Sequence, residues 1–400
     1  MKKTMEKITL LSLSLMLTST FAVSTALPAM LGFYQGYGQE QVEMLISVPS
    51  LAITVMILMN TWFARYIKES VMITAGLVLL TVNGIVPVFF QNYSVVLISR
   101  ILFGFGIGLI NARAITMISE RYEGNEKSVL LGYRGSAEVL GNAVMTLVVG
   151  RLLLIKWNYA FWVYAFGLVI LFLYWIFIPE KNLKSRQEHT SQKKRSFTKK
   201  ERMITAWYTV LAGIVICINA SNSLRIPMVV LERKFGTETD ASVILSIMMV
   251  VGIFAGVCFG KLAVKCRERL ITYGLFLLGA GLLIMNFAGN IVVLGIGAVV
   301  AGFFYVISLT CIFNGLSDQL PQELGNTATS VVLLGCNFGA ACSPIVLKAI
   351  STVSDGAGAH FVVYACAAAA AGGIAAGIEK KNSGNIQKKS SEKREDCDGL

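Results

Sequence analysis

Ionisable side chains inside long apolar runs are the residues of this sequence best placed to do chemistry. They are Arg100, Arg113, Arg134, Glu138 and Arg225. An ionisable residue at the centre of a membrane costs about 2.5 to 3.5 kcal/mol on insertion scales, so those that persist face a cavity or a partner. Glu138 is predicted to be the single acid deep in any run, and a carboxyl balanced between burial and a nearby cation can load and release a proton.

A structural role is the alternative for each of these groups. Glu138 could form an ion pair with Arg134, one helical turn earlier, or with Arg113 on the preceding run. Arg100 could tie neighbouring helices together without handling protons. We therefore predict proton coupling by Glu138 with Arg100, Arg113 and Arg134, and the ion-pair alternative stays open.

Polar residues around Arg225 form a second candidate group, for binding a solute. Asn219, Asn222 and Ser223 share one face of a helix by their spacing, and Pro227 can break that helix and free backbone groups. Arg225 could instead extend to the outer interface. Further inward-facing candidates for solute binding are Asn111, Tyr305 and Asn337.

The composition is that of a membrane protein. Of the 400 residues, 55% are hydrophobic and 14% charged, whereas soluble domains carry about 25% charged residues. The net charge of +12 does not indicate nucleic acid, because the basic residues lie between apolar runs. The eight cysteines show no CxxC or Cys/His spacing and there are two histidines, so we predict no metal site, no cofactor and no disulfide framework.

The apolar runs are long enough to be membrane-spanning helices, since a span needs about 20 residues. The start could also be a signal peptide, but the first run continues past Pro28 to Leu31. Twelve predicted spans cover residues 8–31, 43–63, 71–91, 94–117, 129–154, 159–178, 204–229, 242–264, 270–288, 291–313, 328–350 and 360–378.

The distribution of Lys and Arg predicts the orientation. Most of them fall in segments on the same side as the N-terminus, and such residues stay in the cytoplasm. We therefore expect the protein to lie in a bacterial cell membrane with both termini on the cytoplasmic side. The few basic residues of the opposite loops are Arg151, Lys156, Arg233, Lys234 and Lys348.

The apolar runs divide the chain into four predicted parts. Residues 1–178 and 204–378 are each predicted to form a six-helix bundle. Residues 179–203 are a basic cytoplasmic linker, attracted to anionic lipid headgroups, and residues 379–400 are a disordered tail.

Several short patterns recur with an offset of about 200 residues. Phe161-x-x-Tyr164-Ala in span six matches Phe361-x-x-Tyr364-Ala in span twelve. A basic loop after span two, with Arg65 and Lys68, matches one after span eight, with Gly260, Lys265 and Arg269. In this order, the matches indicate two parallel repeats of six helices, an arrangement that places a solute site near the midplane.

These features resemble the major facilitator superfamily, over the chain from span one to span twelve. That family carries the loop pattern G-x-x-x-D-[RK]-x-G-[RK]-[RK] after span two, and here Ala64 and Val264 stand in place of its Asp. In span four, Arg100 followed by Gly104, Gly106 and Gly108 matches the family's arginine and glycine run.

The resemblance extends in part to drug–proton antiporters of the superfamily. Gly132, Gly141 and Gly150 fit the glycine frame of span five, although Met145-Thr146 stands where those proteins have Gly-Pro. The resemblance implies the two-bundle fold and a cytoplasmic gate formed by the two basic loops.

Together these observations predict a secondary transporter of a small organic solute that works by alternating access and is coupled to protons. It would act as a monomer among membrane lipids, without nucleic acid. A polyspecific drug efflux antiporter and a transporter-like membrane sensor are the alternatives. An enzyme is not predicted, because no paired nucleophile and base and no ATP-binding GK[ST] motif is present.

Overall fold

The computed structural model describes residues 2–122, 124–178, 197–266, 269–353 and 358–377, and these are helical, with no strand among them. The predicted all-α class is confirmed. Most of the predicted linker, residues 179–196, and the predicted tail, 379–400, lie outside the described residues. The helices are α1 (Lys2–Ser14), α2 (Leu27–Phe33), α3 (Gln39–Tyr66), α4 (Glu69–Phe89), α5 (Tyr93–Arg121), α6 (Gly124–Leu152), α7 (Phe166–Phe177), α8 (Lys199–Glu232), α9 (Glu238–Cys266), α10 (Leu270–Asn286), α11 (Ile291–Gln319), α12 (Gln322–Ser351) and α13 (Ala359–Gly377).

Within the described residues, nine helices are long and apolar enough to cross a membrane, and the bent first segment is a tenth candidate. Of the others, α10 is apolar but shorter, and α6 carries Arg134 and Glu138. The count of twelve spans and the location of the termini stay predictions.

Most helices extend beyond the apolar run that predicted them. The clearest case is α8, which begins at Lys199 instead of residue 204. Thr198 and Glu201 form a reciprocal cap there, in which each side chain accepts a hydrogen bond from the other residue's backbone N–H. Hydrophobicity marks the edge of the hydrocarbon layer, whereas capping residues mark the end of the helix, so the two boundaries differ.

The first predicted span is broken. Its two parts, Thr4–Ser14 and Ser19–Phe33, are bent by 52°. The second part begins as a 3₁₀ segment, Ser19–Ala26, before α2. Hydroxyl groups near the break bond to carbonyls of their own turn, Ser12 to Thr9 and Ser19 to Met16. Such bonds bend helices because they compete with the backbone ladder.

Within the described residues, the two halves of the chain, α1–α7 and α8–α13, pack together mainly along three pairs of elements. They are α3 with α12, α6 with α9, and the 3₁₀ segment Ser19–Ala26 with α8. One cluster of buried apolar residues includes Leu45 of α3 and Val229 of α8, so the core is continuous between the halves. We call the face with loops 34–38, 153–156 and 233–237 the outer face, because the predicted topology places it outside.

Candidate transport site

Arg100 of α5 is fully buried, and backbone carbonyls are its hydrogen-bond partners. Its Nε donates to Leu45 O at 2.9 Å, and its Nη2 donates to Thr20 O at 3.1 Å. The rings of Phe103 and Tyr164 lie 4.4 and 5.3 Å from the guanidinium carbon. This arrangement supports the structural alternative for Arg100, because it ties the broken first span to α3 and α5.

Glu138 and Arg134 lie one turn apart on α6 and form an ion pair, with 3.6 Å between Arg134 Nη1 and Glu138 Oε2. Their side chains are 14% exposed for Arg134 and 19% for Glu138. Arg134 Nη2 also donates to Asn111 Oδ1 of α5 at 3.1 Å. The structure thus brings together a predicted coupling acid, its cation and a predicted solute-binding amide.

Two further contacts define the surroundings of this group. Thr18, at the break of the first span, donates through Oγ1 to the backbone oxygen of Glu138 at 3.0 Å. Arg113 lies with Nη2 3.7 Å from Met72 Sδ on α4, instead of against Glu138. The ion pair of Glu138 is therefore formed within α6, while the broken segment contacts its backbone.

Glu43 of α3 was missed as a deep acid, and it corrects the prediction that Glu138 is the single one. The Glu43 side chain is 1% exposed, and its Oε1 lies 3.0 Å from Arg225 Nη2 of α8. Gln39 Nε2 donates to the same oxygen at 2.9 Å. Glu43 is the first residue of the predicted second span, but α3 begins at Gln39, so the carboxylate lies one turn inside the helix.

Ser221, Asn222 and Ser223 of α8 are buried, and the helix continues through Pro227 without the predicted break. Asn222 is 2% exposed, and its Oδ1 has no hydrogen-bond partner in the described part of the chain. Ser221 Oγ lies 2.7 Å from Tyr364 Oη of α13. Asn219 is partly buried, and its carbonyl accepts from Ser223 Oγ at 3.1 Å.

The other two predicted solute-binding residues, Tyr305 and Asn337, lie on α11 and α12 of the C-terminal half. Tyr305 of α11 is partly buried and packs against two clusters of buried apolar residues, the one shared by both halves and one within the C-terminal half. Asn337 of α12 donates through Nδ2 to Leu333 O of its own helix at 3.1 Å. Neither forms a hydrogen bond with Arg225 among the described residues, so the structure does not join all six predicted binding residues.

The predicted cytoplasmic gate residues lie where α3 is followed by α4 and, in the other half, where α9 is followed by α10. Lys68 is exposed before α4, and Arg269 is exposed before α10. Lys265 is exposed in the last turn of α9, and a Cβ at Gly260 would meet open space. The side chain of Arg65 lies outside the described residues.

Four polar contacts between the halves, all among described residues, lie toward the outer face. They involve the starts of α3 and α9 and the ends of α6, α8 and α12, which all lie near that face. The contacts found among the described residues are Glu43 with Arg225, Glu40 with Lys348 at 2.6 Å, Thr239 Oγ1 with Gly150 O at 2.8 Å and Ser246 Oγ with Ala143 O at 2.9 Å.

Three glycines of α6 differ in how closely other residues pack against them. A Cβ at Gly150, near the outer end, would overlap Ser242 of the other half. A Cβ at Gly141 would overlap the backbone of Leu15 at the break of the first span. Farther inward, a Cβ at Gly132 would meet open space. The helix is therefore closely packed at Gly141 and Gly150 and open at Gly132.

The sequence that forms this arrangement matches the sequence pattern of a known protein family. The pattern described as Major Facilitator Superfamily matches residues 9–344, and a second match covers residues 210–394. The chain belongs to the Major Facilitator Superfamily. It is thus a multi-pass membrane transporter, as the resemblance implied. No curated protein sequence matches the chain significantly.

Solved structures of superfamily transporters share the fold. A POT family transporter in complex with a thioalcohol-conjugated peptide is 17% identical, with a TM-score of 0.75 over 94% of this chain and 96% of that chain. A D-xylose–proton symporter is 16% identical, with a TM-score of 0.72 over 94% and 97%. A bacterial homologue of the human lysosomal transporter Spinster is 14% identical, with a TM-score of 0.72 over 93% and 97%. At these identities the likeness concerns the fold.

Proposed function

We propose that this protein is a proton-coupled secondary transporter of a small organic solute, working by alternating access between two six-helix halves. The observation that carries the proposal is the position of Glu138. It lies on α6 beside Arg134, five residues inward from Ala143, which accepts a hydrogen bond from the other half. One helix thus carries both a titratable ion pair and part of the contact that joins the halves.

The coupling follows from the contacts of Arg134. Ionised Glu138 attracts Arg134, which also donates to Asn111 of α5. Protonation of the carboxyl removes that attraction, so Arg134 and Asn111 become available to a solute or to new protein contacts. The 3.6 Å separation of the charged atoms is longer than a tight charge-assisted hydrogen bond, which suits a pair that forms and breaks in each cycle.

Alternating access follows from the contacts at the outer face. Polar pairs between α3 and α12, α3 and α8, and α6 and α9 hold the halves together there. Rocking the halves about the central site would separate these pairs and expose the site to the outside. We assign the described conformation to the state that is closed on the outer face, in a bacterial cell membrane, with the monomer as the working unit.

The test is Glu138→Gln in proteoliposomes with an imposed pH gradient, across a panel of labelled solutes. The amide mimics the protonated state permanently, so gradient-driven accumulation should be lost while exchange of solute at equilibrium continues. The matched control is Glu126→Gln. Glu126 is an exposed acid in the first turn of the same helix and pairs with Lys7.

Two outcomes would contradict the coupling role. One is full proton-driven accumulation by a stable Glu138→Gln variant. The other is loss of expression that Arg134→Gln restores, because removing one member of a buried pair leaves the other uncompensated, and this would make the pair structural.

A further inference from the structure

We infer that Arg225 is the binding group for an anionic solute, and that Glu43 occupies it as a built-in substitute carboxylate while the outer face is closed. This inference rests on the proposed alternating access and names the substrate class: an organic solute with a carboxylate or phosphate group. The two residues belong to different halves, so opening the outer face must separate them.

The pair is buried and joined by one carboxylate oxygen. Glu43 is 1% exposed and Arg225 is 12% exposed, with 3.0 Å between Arg225 Nη2 and Glu43 Oε1. The second oxygen of Glu43, Oε2, has no hydrogen-bond partner among the described residues. An Arg in such surroundings needs an anion, because an uncompensated buried charge is strongly destabilising.

Buried polar atoms without a hydrogen-bond partner among the described residues lie near Arg225 in the C-terminal half. Asn222, one turn earlier on α8, is 2% exposed and has an unpartnered Oδ1. His360 of α13 is 5% exposed and has an unpartnered Nε2, and it lies within the electrostatic influence of Arg225 and Arg233. These groups stay with Arg225 when Glu43 leaves, and they can bond to polar parts of a solute.

In the proposed transport cycle, the solute anion and the Glu43 carboxylate bind Arg225 in turn. When the halves separate, Glu43 moves with α3 and Arg225 stays with α8. A solute anion from outside then takes the place of the carboxylate, and guanidinium binds carboxylate or phosphate in a bidentate way. After the solute leaves on the inner side, Glu43 returns to Arg225. The solute and Glu43 therefore compete for the same cation.

Competition predicts that removing the Glu43 charge strengthens anion binding. Purified protein in nanodiscs is titrated with acetate, benzoate, succinate and inorganic phosphate, and the melting temperature is followed. In Glu43→Gln, at least one of these anions should stabilise the protein at a concentration about tenfold lower than in the unmodified protein. Benzamide, the neutral analogue of benzoate, should not stabilise it.

Three variants sharpen the test. Glu43→Gln combined with Arg225→Gln should lose the response to anions. Lys348→Gln removes a second ion pair between the described parts of the halves; this pair is more exposed and contributes little, so the variant should respond like the unmodified protein. Glu43→Asp keeps the charge and the fold but weakens the pair, so it should need a concentration severalfold lower than the unmodified protein.

The inference is wrong if none of the four anions acts at lower concentration on Glu43→Gln or Glu43→Asp than on the unmodified protein. An equal response after Arg225→Gln would also overturn it, because the anion would then bind elsewhere. The assay needs no pH gradient. Failure of the Glu138 experiment would therefore leave this result intact, and failure here would leave proton coupling by Glu138 untouched.

Discussion

The first helix of each half is built differently, although short sequence patterns recur between the two halves. In the N-terminal half the segment is bent by 52° between Ser14 and Ser19, whereas α8 runs over 34 residues from Lys199 to Glu232. Both halves place a tyrosine against this helix. Tyr164 Oη donates to the carbonyl of Ser19 at 3.0 Å, and Tyr364 Oη lies 2.7 Å from the hydroxyl of Ser221.

The difference supports a structural role for the buried arginine. Arg100 donates to Thr20 O, a carbonyl of the broken segment, while Val300 stands 200 positions later, in α11. The C-terminal half has Val300 in place of a cation there, so packing of its helices does not require an arginine at this position. We infer that the break in the first span does require such a donor, because carbonyls that leave the helical ladder inside a membrane must find other hydrogen-bond donors.

The largest effect should come from Arg100→Gln. Loss of the two hydrogen bonds and of the buried side chain should lower the free energy of unfolding by about 3 to 5 kcal/mol. Val300→Ala, at the equivalent position, should cost about 1 kcal/mol. Thermal unfolding in nanodiscs measures both. Equal losses would show that the break does not depend on Arg100.

A smaller effect is expected where α6 packs on the broken segment. Gly141→Ala would place a Cβ against the backbone of Leu15, and it should cost about 1 to 3 kcal/mol of stability. Gly132→Ala is the matched control on the same helix, since its Cβ meets open space. It should gain about 0.5 to 1 kcal/mol from helix propensity. A stabilising effect of Gly141→Ala would contradict the close packing.

The smallest effect should separate the two tyrosines. Tyr164→Phe leaves the Ser19 carbonyl of the broken segment without that donor and should cost about 1 to 2 kcal/mol. Tyr364→Phe should cost about 0.5 kcal/mol, because the Ser221 hydroxyl can rotate to a carbonyl of its own helix. If Tyr364→Phe proved the more costly change, the two halves would not differ in the way described.

Sequence periodicity and length were sufficient for the class of fold, because long uninterrupted apolar runs have one stable form in a bilayer. They were also sufficient for the pair of Arg134 with Glu138, since a spacing of four residues on one helix is local geometry. The break in the first span was not predicted. Its apolar run is continuous, and the bend is accompanied by hydroxyl groups near the break and by donors from Arg100 of α5 and from Tyr164, just before α7.

Glu43 shows most clearly where sequence reasoning stopped. Its partner Arg225 is far away in the chain and in the other half, and Glu43 lies at the edge of its apolar run. A helix capped earlier than that edge would have placed the carboxylate inside, but burial of the pair required the halves to meet. The amide of Asn111 likewise joined the Glu138 group through packing of α5 against α6.

What the sequence by itself determined is the membrane environment, the helical form of the spans and the superfamily. These follow from local properties, namely the hydrophobicity of each run, its length and short motifs. The tertiary structure alone decided which charges meet: Arg100 with carbonyls of a broken helix, and Glu43 with Arg225 between the halves. Hydrophobicity drives a helix into the membrane without specifying its rotation or neighbours, so pairing between distant helices depends on how the complete set packs.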